Sequence, residues 1–358
     1  MLTTVTIIIV LGLLIAFHEL GHFLVAKWLG IGVRTFSLGF PPRLVSFKRN
    51  KTEYRLCAIP LGGYVQLVGE RNEEELPDGF TPEHSFVLRP PWHRMLVVLA
   101  GPVFNFVLAW LIYWGLFWAQ GISEPLPIIG EITKDSPAAM AGVHPGDRIL
   151  RIDGTPIPYW QNLSDIVKSS QGKALTFDIA RKDATLTLQI TPEILGQQNI
   201  FGEVVQTPLI GVKPTGEFEA IRLGPFSAAT AASKEVWRII ASIGQVIVKL
   251  ISQVVPFKQV GGPIMIAELV AQQVKHGLAN VLLLTAVISV NLGLFNLFPI
   301  PVLDGGHLLF LTIETIIRRP VSPRVQEYTT RAGLAMLLLL MLCATFNDLQ
   351  RHFPWLTF

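Results

Sequence analysis

Val5-Thr-Ile-Ile-Ile-Val-Leu-Gly-Leu-Leu-Ile-Ala-Phe-His18-Glu19-Leu20-Gly21-His22-Phe-Leu-Val-Ala-Lys-Trp-Leu29 is the stretch on which the reading of this chain turns. About 20 apolar residues of helix cross a bilayer, so it is long enough to span one. Inside it lie the ionisable side chains His18, Glu19 and His22. Each costs at least about 2.5–3.5 kcal/mol at membrane depth, and such residues mark a functional site. Histidines four apart share one face of a helix, where both imidazoles can converge on one metal ion. Glu19 between them is then placed to take a proton from an attacking water. The stretch has no basic start and no small-residue cleavage site, and its apolar run is too long for a signal peptide. It reads as a retained span.

The surrounding chain also points to lipid. Half of the 358 residues are hydrophobic and 15% are charged, where soluble domains carry about 25% charged residues. The mean hydropathy is +0.47. A net charge of +3 over this length gives no basis for a nucleic-acid partner. Cys57 and Cys343 stand far apart, with no disulfide framework and no Cys-x-x-Cys pair. Three further apolar stretches are expected to span: Met95 to Trp118, Val281 to Leu297 and Ala332 to Phe346. The segment between the first two spans holds nine Lys/Arg, from Arg34 to Arg94, and the one between the last two holds Arg318, Arg319, Arg324 and Arg331. The positive-inside rule puts both basic segments in the cytoplasm, and both termini and the region Gly121 to Asn280 outside.

That outer region has two parts. From Gly121 to Pro214, short β-rich runs (Leu175 to Ile179, Leu186 to Ile190) alternate with turn signals such as Pro145-Gly146-Asp147 and Asp153-Gly154, which suits a small β-rich domain. From 215 to 280, Trp237 to Val255 reads as an amphipathic or interfacial helix, with a partial fifth span left open. The acidic run Glu70 to Asp78 reads as a solvated loop. The expected divisions are therefore 1–120, 121–214, 215–280 and 281–358, the first and last forming a membrane core.

A metal site of this class needs a third protein ligand and one open position. Asn291-Leu-Gly-Leu-Phe-Asn296-Leu-Phe-Pro299-Ile-Pro301-Val-Leu-Asp304-Gly305-Gly306-His307 supplies the candidates. The prolines break the helix and extend the residues before them, and the glycines permit a tight turn. Asp304 and His307 are both chemically acceptable donors, and Asp304 has the competing role of capping a helix that starts near Leu308. Asn291 and Asn296 can pack between helices or hydrogen-bond a substrate backbone.

Together, His18-Glu-Leu-Gly-His22 and Asn296-Leu-Phe-Pro-Ile-Pro-Val-Leu-Asp304-Gly-Gly resemble the site-2 protease family of intramembrane zinc metalloproteases, in its bacterial RseP-like branch. Further blocks agree in order: Ile59-Pro-Leu-Gly-Gly-Tyr-Val65, Ser85-Phe86, Trp92-His-Arg94, Ala100-Gly-Pro-Val-Phe-Asn105 and Gly261-Gly-Pro-Ile264. The resemblance implies Zn²⁺ held by His18, His22 and Asp304, with Glu19 as catalytic base. It implies a membrane-associated β-hairpin over Tyr54 to Val68, a strand pair interrupted by Pro60 and Gly62-Gly63, in which Tyr64 and Val65 meet substrate. Ser136-Pro-Ala-Ala-Met-Ala-Gly-Val-His-Pro-Gly-Asp147 resembles the family's PDZ signature. There is room for one such domain where some relatives carry two, and Leu38-Gly39-Phe40-Pro41 departs from the family's Gly-Phe-Gly turn.

The fold class expected is thus a mostly α-helical, multi-pass protein of the bacterial inner membrane. It would carry about four transmembrane helices, the β-hairpin and one inserted extracytoplasmic PDZ-like α/β domain. The implied partners are the lipid bilayer and single-pass membrane proteins, with the PDZ-like domain touching their ectodomains or new C-termini. His22 lies seven residues before Leu29, about 10 Å from the end of the span, so water need reach only that far from the cytoplasmic face. The alternatives are a non-enzymatic PDZ scaffold and a zinc transporter. A transporter would need polar groups through the full bilayer, and the second and fourth spans offer little beyond Asn105 and Tyr113. A pseudoenzyme would be expected to lack Glu19.

Overall fold

The computed structural model describes residues 2–70, 76–182, 184–198, 204–252, 254 and 261–353. Residues 71–75 of the acidic run lie outside these. The chain divides into two compact units: Met1–Gly115 with Ala229–Val246 and Pro256–Phe358, and Leu116–Ala228 with Ile247–Val255.

The first unit opens with helix α1 (Leu2–Trp28). Its Val10 and Leu14 pack with Leu108 and Val281, and its Ala26 packs with Ile31, Val33 and Val97. Strands β1 (Val33–Arg49) and β2 (Thr52–Leu67) follow, joined at Asn50 and Lys51, whose φ angles of 47° and 67° suit a two-residue hairpin turn. This corrects the expected hairpin. Tyr54 to Val68 is not a strand pair turning at Pro60 and Gly62-Gly63. It is nearly all one long strand, and its two arms flank β1: Phe36 pairs with both Tyr54 and Val65, and Leu38 with both Leu56 and Gly63. The arm Gly63–Leu67 lies against α1. Helix α2 (Pro91–Gln120) completes the N-terminal part.

The second unit contains β3 (Ile122–Pro125), β4 (Ile129–Ile132), α3 (Pro137–Met140), β5 (Arg148–Ile152), β6 (Thr155–Pro156), α4 (Trp160–Ser169), β7 (Leu175–Arg181), β8 (Ala184–Ile190), β9 (Glu193–Gln198), β10 (Val204–Leu209), β11 (Val212–Pro214) and β12 (Phe218–Ile221). Strands β6-β5-β7-β8 form one sheet, and β9–β10, β4–β11 and β3–β12 form pairs. Alternation along β7 buries Leu175, Phe177 and Ile179. These meet Leu163 and Val167 of α4, together with Ile129, Ile149 and Ile152, in one core. Pairing of β12 with β3 carries this unit's ladder to Ile221, past the boundary expected at Pro214.

Beyond it run α5 (Pro225–Ile251), α6 (Pro263–Lys275), α7 (Leu278–Asn296), α8 (Asp304–Ile317) and α9 (Pro323–His352). Helix α5 begins well before Trp237, with Pro225 in its first turn and Ala228, Ala232 and Val236 buried along one face. Val255 lies outside the described residues. Helix α9 extends past the apolar run Ala332 to Phe346 because Ser322 caps it ahead of Pro323 and its polar end is satisfied. Buried Asp348 accepts from the backbone N–H groups of Gly262, Ile264 and Met265 at 3.0–3.1 Å, capping α6. A side chain on Gly262 would strike the Ala344 backbone, which accounts for the glycine of the Gly-Gly-Pro block. Helices α1, α2, α7 and α9 are long and apolar enough to cross a membrane, so the protein is mostly helical, with four candidate spans and a β-rich unit.

Candidate metal centre

Two glycines bring α1 against α2. A β-carbon on Gly21 would overlap the Ala100 carbonyl, and one on Gly101 would overlap the His22 ring. At this crossing His18 and His22 stand one turn apart with their Nε2 atoms 3.2 Å from each other. Asp304, the first residue of α8, brings Oδ2 to 3.1 Å from Nε2 of His18 and Oδ1 to 3.6 Å from Nε2 of His22. Its position depends on Gly305 and Gly306, where any side chain would collide with the carbonyls of Leu297, Phe298 and Ile300. Helix α8 therefore starts at Asp304, and the capping position falls to Leu303 ahead of it.

The imidazole tautomers follow from the hydrogen bonds on the far side of each ring. Nδ1 of His22 donates to the Val97 carbonyl at 2.8 Å, which leaves its Nε2 unprotonated. The Asn105 amide lies 3.0 Å from Nδ1 of His18. The nitrogen of that amide faces the ring; exchanging the two ends of the amide would bring its oxygen, which has no partner, to accept Nδ1–H. The buried Oδ2 of Asp304 has no hydrogen-bond partner. Two imidazole nitrogens and a carboxylate converge here, a donor set that a bound metal cation would satisfy. Zinc–nitrogen and zinc–oxygen bonds of about 2.0–2.2 Å in a tetrahedron set donors roughly 3.3 Å apart, and the observed separations are 3.1, 3.2 and 3.6 Å. The donor set fits zinc.

Glu19 stands beside this cluster and is not part of it. The backbone N–H of Val65 on β2 bonds to its carboxylate, and Gly63 keeps β2 close, since a β-carbon there would lie 3.2 Å from Cγ of Glu19. A cavity of about 750 Å³ takes in His18, Glu19, His22 and Asp304, with Tyr64, Val65, Asn296 and His307 in its wall. His307 shares the cavity but does not join the converging donors, and Asn291 does not line it. The Ala100–Asn105 block lies on α2 at this crossing. The structure puts Gly101 and Asn105 against the histidines, and their spacing of four on α2 was the available signal.

Converging metal donors with a carboxylate beside them, built on apolar helices, define a membrane metallopeptidase. A family model described as peptidase family M50 matches residues 6–340, and the chain belongs to that family, the site-2 proteases. A zinc metalloprotease of Mesorhizobium japonicum is 40% identical, the match covering 97% of this chain and 98% of that one. One of Campylobacter jejuni is 38% identical over 96% and 92%. The regulator of sigma-E protease RseP of Salmonella typhimurium is 33% identical over 96% and 97%. That alignment runs to 444 positions, so the relative carries residues that this 358-residue chain lacks. Among solved structures, a PDZ domain of an SdrC-like protein of Listeria monocytogenes covers 25% of this chain and 87% of its own at 25% identity. Its TM-score of 0.20 is too low to bear on the fold. The chain is a zinc metalloprotease, and the scaffold and transporter alternatives fall away.

Proposed function

We propose that the chain hydrolyses peptide bonds within or near the membrane segments of single-pass membrane proteins, such as anti-sigma factors or signal-peptide remnants, in a bacterial inner membrane. The observation that carries this is the position of the β2 arm Gly63–Leu67. It pairs with β1 and turns Tyr64 and Val65 into the cavity that holds Glu19 and the metal donors. A substrate entering from lipid as a helix hides its peptide bonds, and pairing along such an arm holds it extended.

His18, His22 and Asp304 would hold zinc, which when bound would supply a Lewis acid to polarise the scissile carbonyl and acidify the attacking water. Glu19, oriented by the Val65 N–H, takes the proton from water and returns it to the leaving amine. The side chain of Asn296, in the cavity wall, is placed to hold substrate backbone. On the topology read from charge, the termini and the β-rich unit lie outside and the site near the cytoplasmic face. Residues 121–214 then act as a PDZ-like module that screens ectodomains or new C-termini, with the groove between α4 and Ile210-Gly211 as the receiving surface. The test is cleavage of a single-pass substrate reconstituted with the protease in liposomes, the cut mapped by mass spectrometry. The expected cut falls in or beside the membrane segment. Cuts confined to the ectodomain would overturn the proposal.

A further inference from the structure

We infer that Arg94 and Glu314 are positioning residues for the metal centre: their buried ion pair ties α8 to α2 so that Asp304 meets the two histidines. The inference rests on the reading of His18, His22 and Asp304 as zinc ligands.

The case begins on α2. Arg94, Val97, Gly101 and Asn105 follow one another at intervals of three, four and four, so they share one face of the helix, and all four are buried. Three of them serve the histidines. The Val97 carbonyl orients His22, the Asn105 amide orients His18, and Gly101 gives both rings room. Ser289 of α7 anchors this helix by donating to the Asn105 carbonyl at 2.7 Å. The fourth, Arg94, reaches α8 instead. Its guanidinium donates to the Glu314 carboxylate, and its Nε donates to the Arg89 carbonyl at 3.1 Å.

Helix α8 needs such a tie. Its first turn is wedged by Gly305 and Gly306, but beyond it only Leu311 is buried. Glu314 lies ten residues after Asp304, about 15 Å along the axis, so the pair fixes the direction of the helix whose first residue is the donor. Side-chain exposure at Arg94 and Glu314 is 10% and 17%. A pair so shielded gains less as net stability than it loses when one partner is removed, which suits a device for orientation. Both residues also line the cavity that holds the donors. One face of α2 thereby orients all three donors, two directly and the third through Glu314.

The test uses the full chain in detergent, with zinc affinity measured by chelator competition and cobalt(II) as the spectroscopic probe. Glu314→Gln and Arg94→Gln are each expected to weaken zinc binding about 10–100-fold, as outer-shell partners do, and to alter the cobalt absorption bands. Arg94→Lys keeps the charge and is expected to bind close to the parent. The charge exchange Arg94→Glu with Glu314→Arg is expected to recover most of both losses. Monodisperse single variants with the parent's affinity and spectrum overturn the inference. If the single variants do not stay monodisperse, the exchange decides: recovered folding with recovered zinc binding supports it, and recovered folding without zinc binding overturns it. Asp304→Ala in the same assay separates the two readings, because unchanged metal binding there means that the donor set itself is wrong.

Discussion

Glu19 and the three candidate donors share one cavity but do different work in the proposed mechanism, and substitution separates them. Glu19→Gln keeps size and hydrogen bonding and removes only the base, so zinc is expected to stay at about one per chain. Turnover is expected to fall by about 10²–10⁴, the usual contribution of general acid–base catalysis. Metal analysis and a cleavage assay on one preparation check this, and undiminished cleavage would remove Glu19 from the mechanism. Asp304→Ala is expected to lose zinc where His307→Ala retains it, because only Asp304 reaches both Nε2 atoms. The candidate histidines and Glu19 were legible in the residues themselves, because His-Glu-x-x-His in an apolar run is a metal-site pattern. The choice between Asp304 and His307 was not. It depends on Gly305 and Gly306 pressing the first turn of α8 onto the Leu297 and Ile300 carbonyls, a contact that local spacing does not reveal.

Strand β2 shows how an element can be found and its partner missed. Pro60 and Gly62-Gly63 look like a turn, yet the turn residues are Asn50 and Lys51, which take the left-handed backbone without a glycine. Val65→Pro removes the N–H that bonds Glu19 and bars that arm from donating to a bound strand. All substrates are expected to be cut more slowly with zinc content unchanged, which a harmless proline would contradict. In the β-rich unit, the turn at Pro145-Gly146-Asp147 serves a lock. Asp147 is 1% exposed and receives Nε and Nη2 of Arg181 and the His144 N–H, each at 2.8 Å. Burial alone would raise its pKa, but the Arg181 hydrogen bond, the His144 N–H and the Arg181 charge outweigh it and hold the carboxyl below its ordinary value. A depressed folded pKa contributes stability that is full above the unfolded value of about 3.9 and is lost as pH falls through the folded one. The protection of the Phe177 and Ile179 amides against hydrogen exchange, taken relative to the intrinsic rate at each pH, is therefore expected to fall in acid below about pH 4. Asp147→Asn is expected to be less protected at neutral pH and to lose most of that acid dependence. An unchanged acid profile in the variant would show that another group governs it.

The division of the chain into two units puts every proposed site residue in one of them. His18, Glu19, His22 and Asp304 all fall in Met1–Gly115 and Pro256–Phe358, while Leu116–Ala228 forms most of the other unit. The end of that second unit was not readable in the sequence, because β12 belongs to it only through pairing with β3 across nearly a hundred residues. That pairing shows how to remove the unit. Ile122 sits opposite Ile221, and paired residues in an antiparallel ladder have Cα atoms about 5 Å apart, so one or two glycines can replace the whole segment without pulling on α2 or α5. A cut at Pro214 would leave β12 without its partner strand, as an unpaired edge. With residues 122–221 replaced, zinc content is expected to match the parent, since no donor or orienting residue is lost. The change is expected in substrate choice. If the unit screens ectodomains, the parent cuts a substrate with a trimmed ectodomain faster than one with the intact domain, and the excised variant cuts both at similar rates. Rates for both substrates, measured in liposomes with zinc determined for each preparation, decide the matter. A variant that holds zinc but cuts neither would mean that the β-rich unit supports catalysis, and an unchanged preference would place the screen elsewhere in the chain.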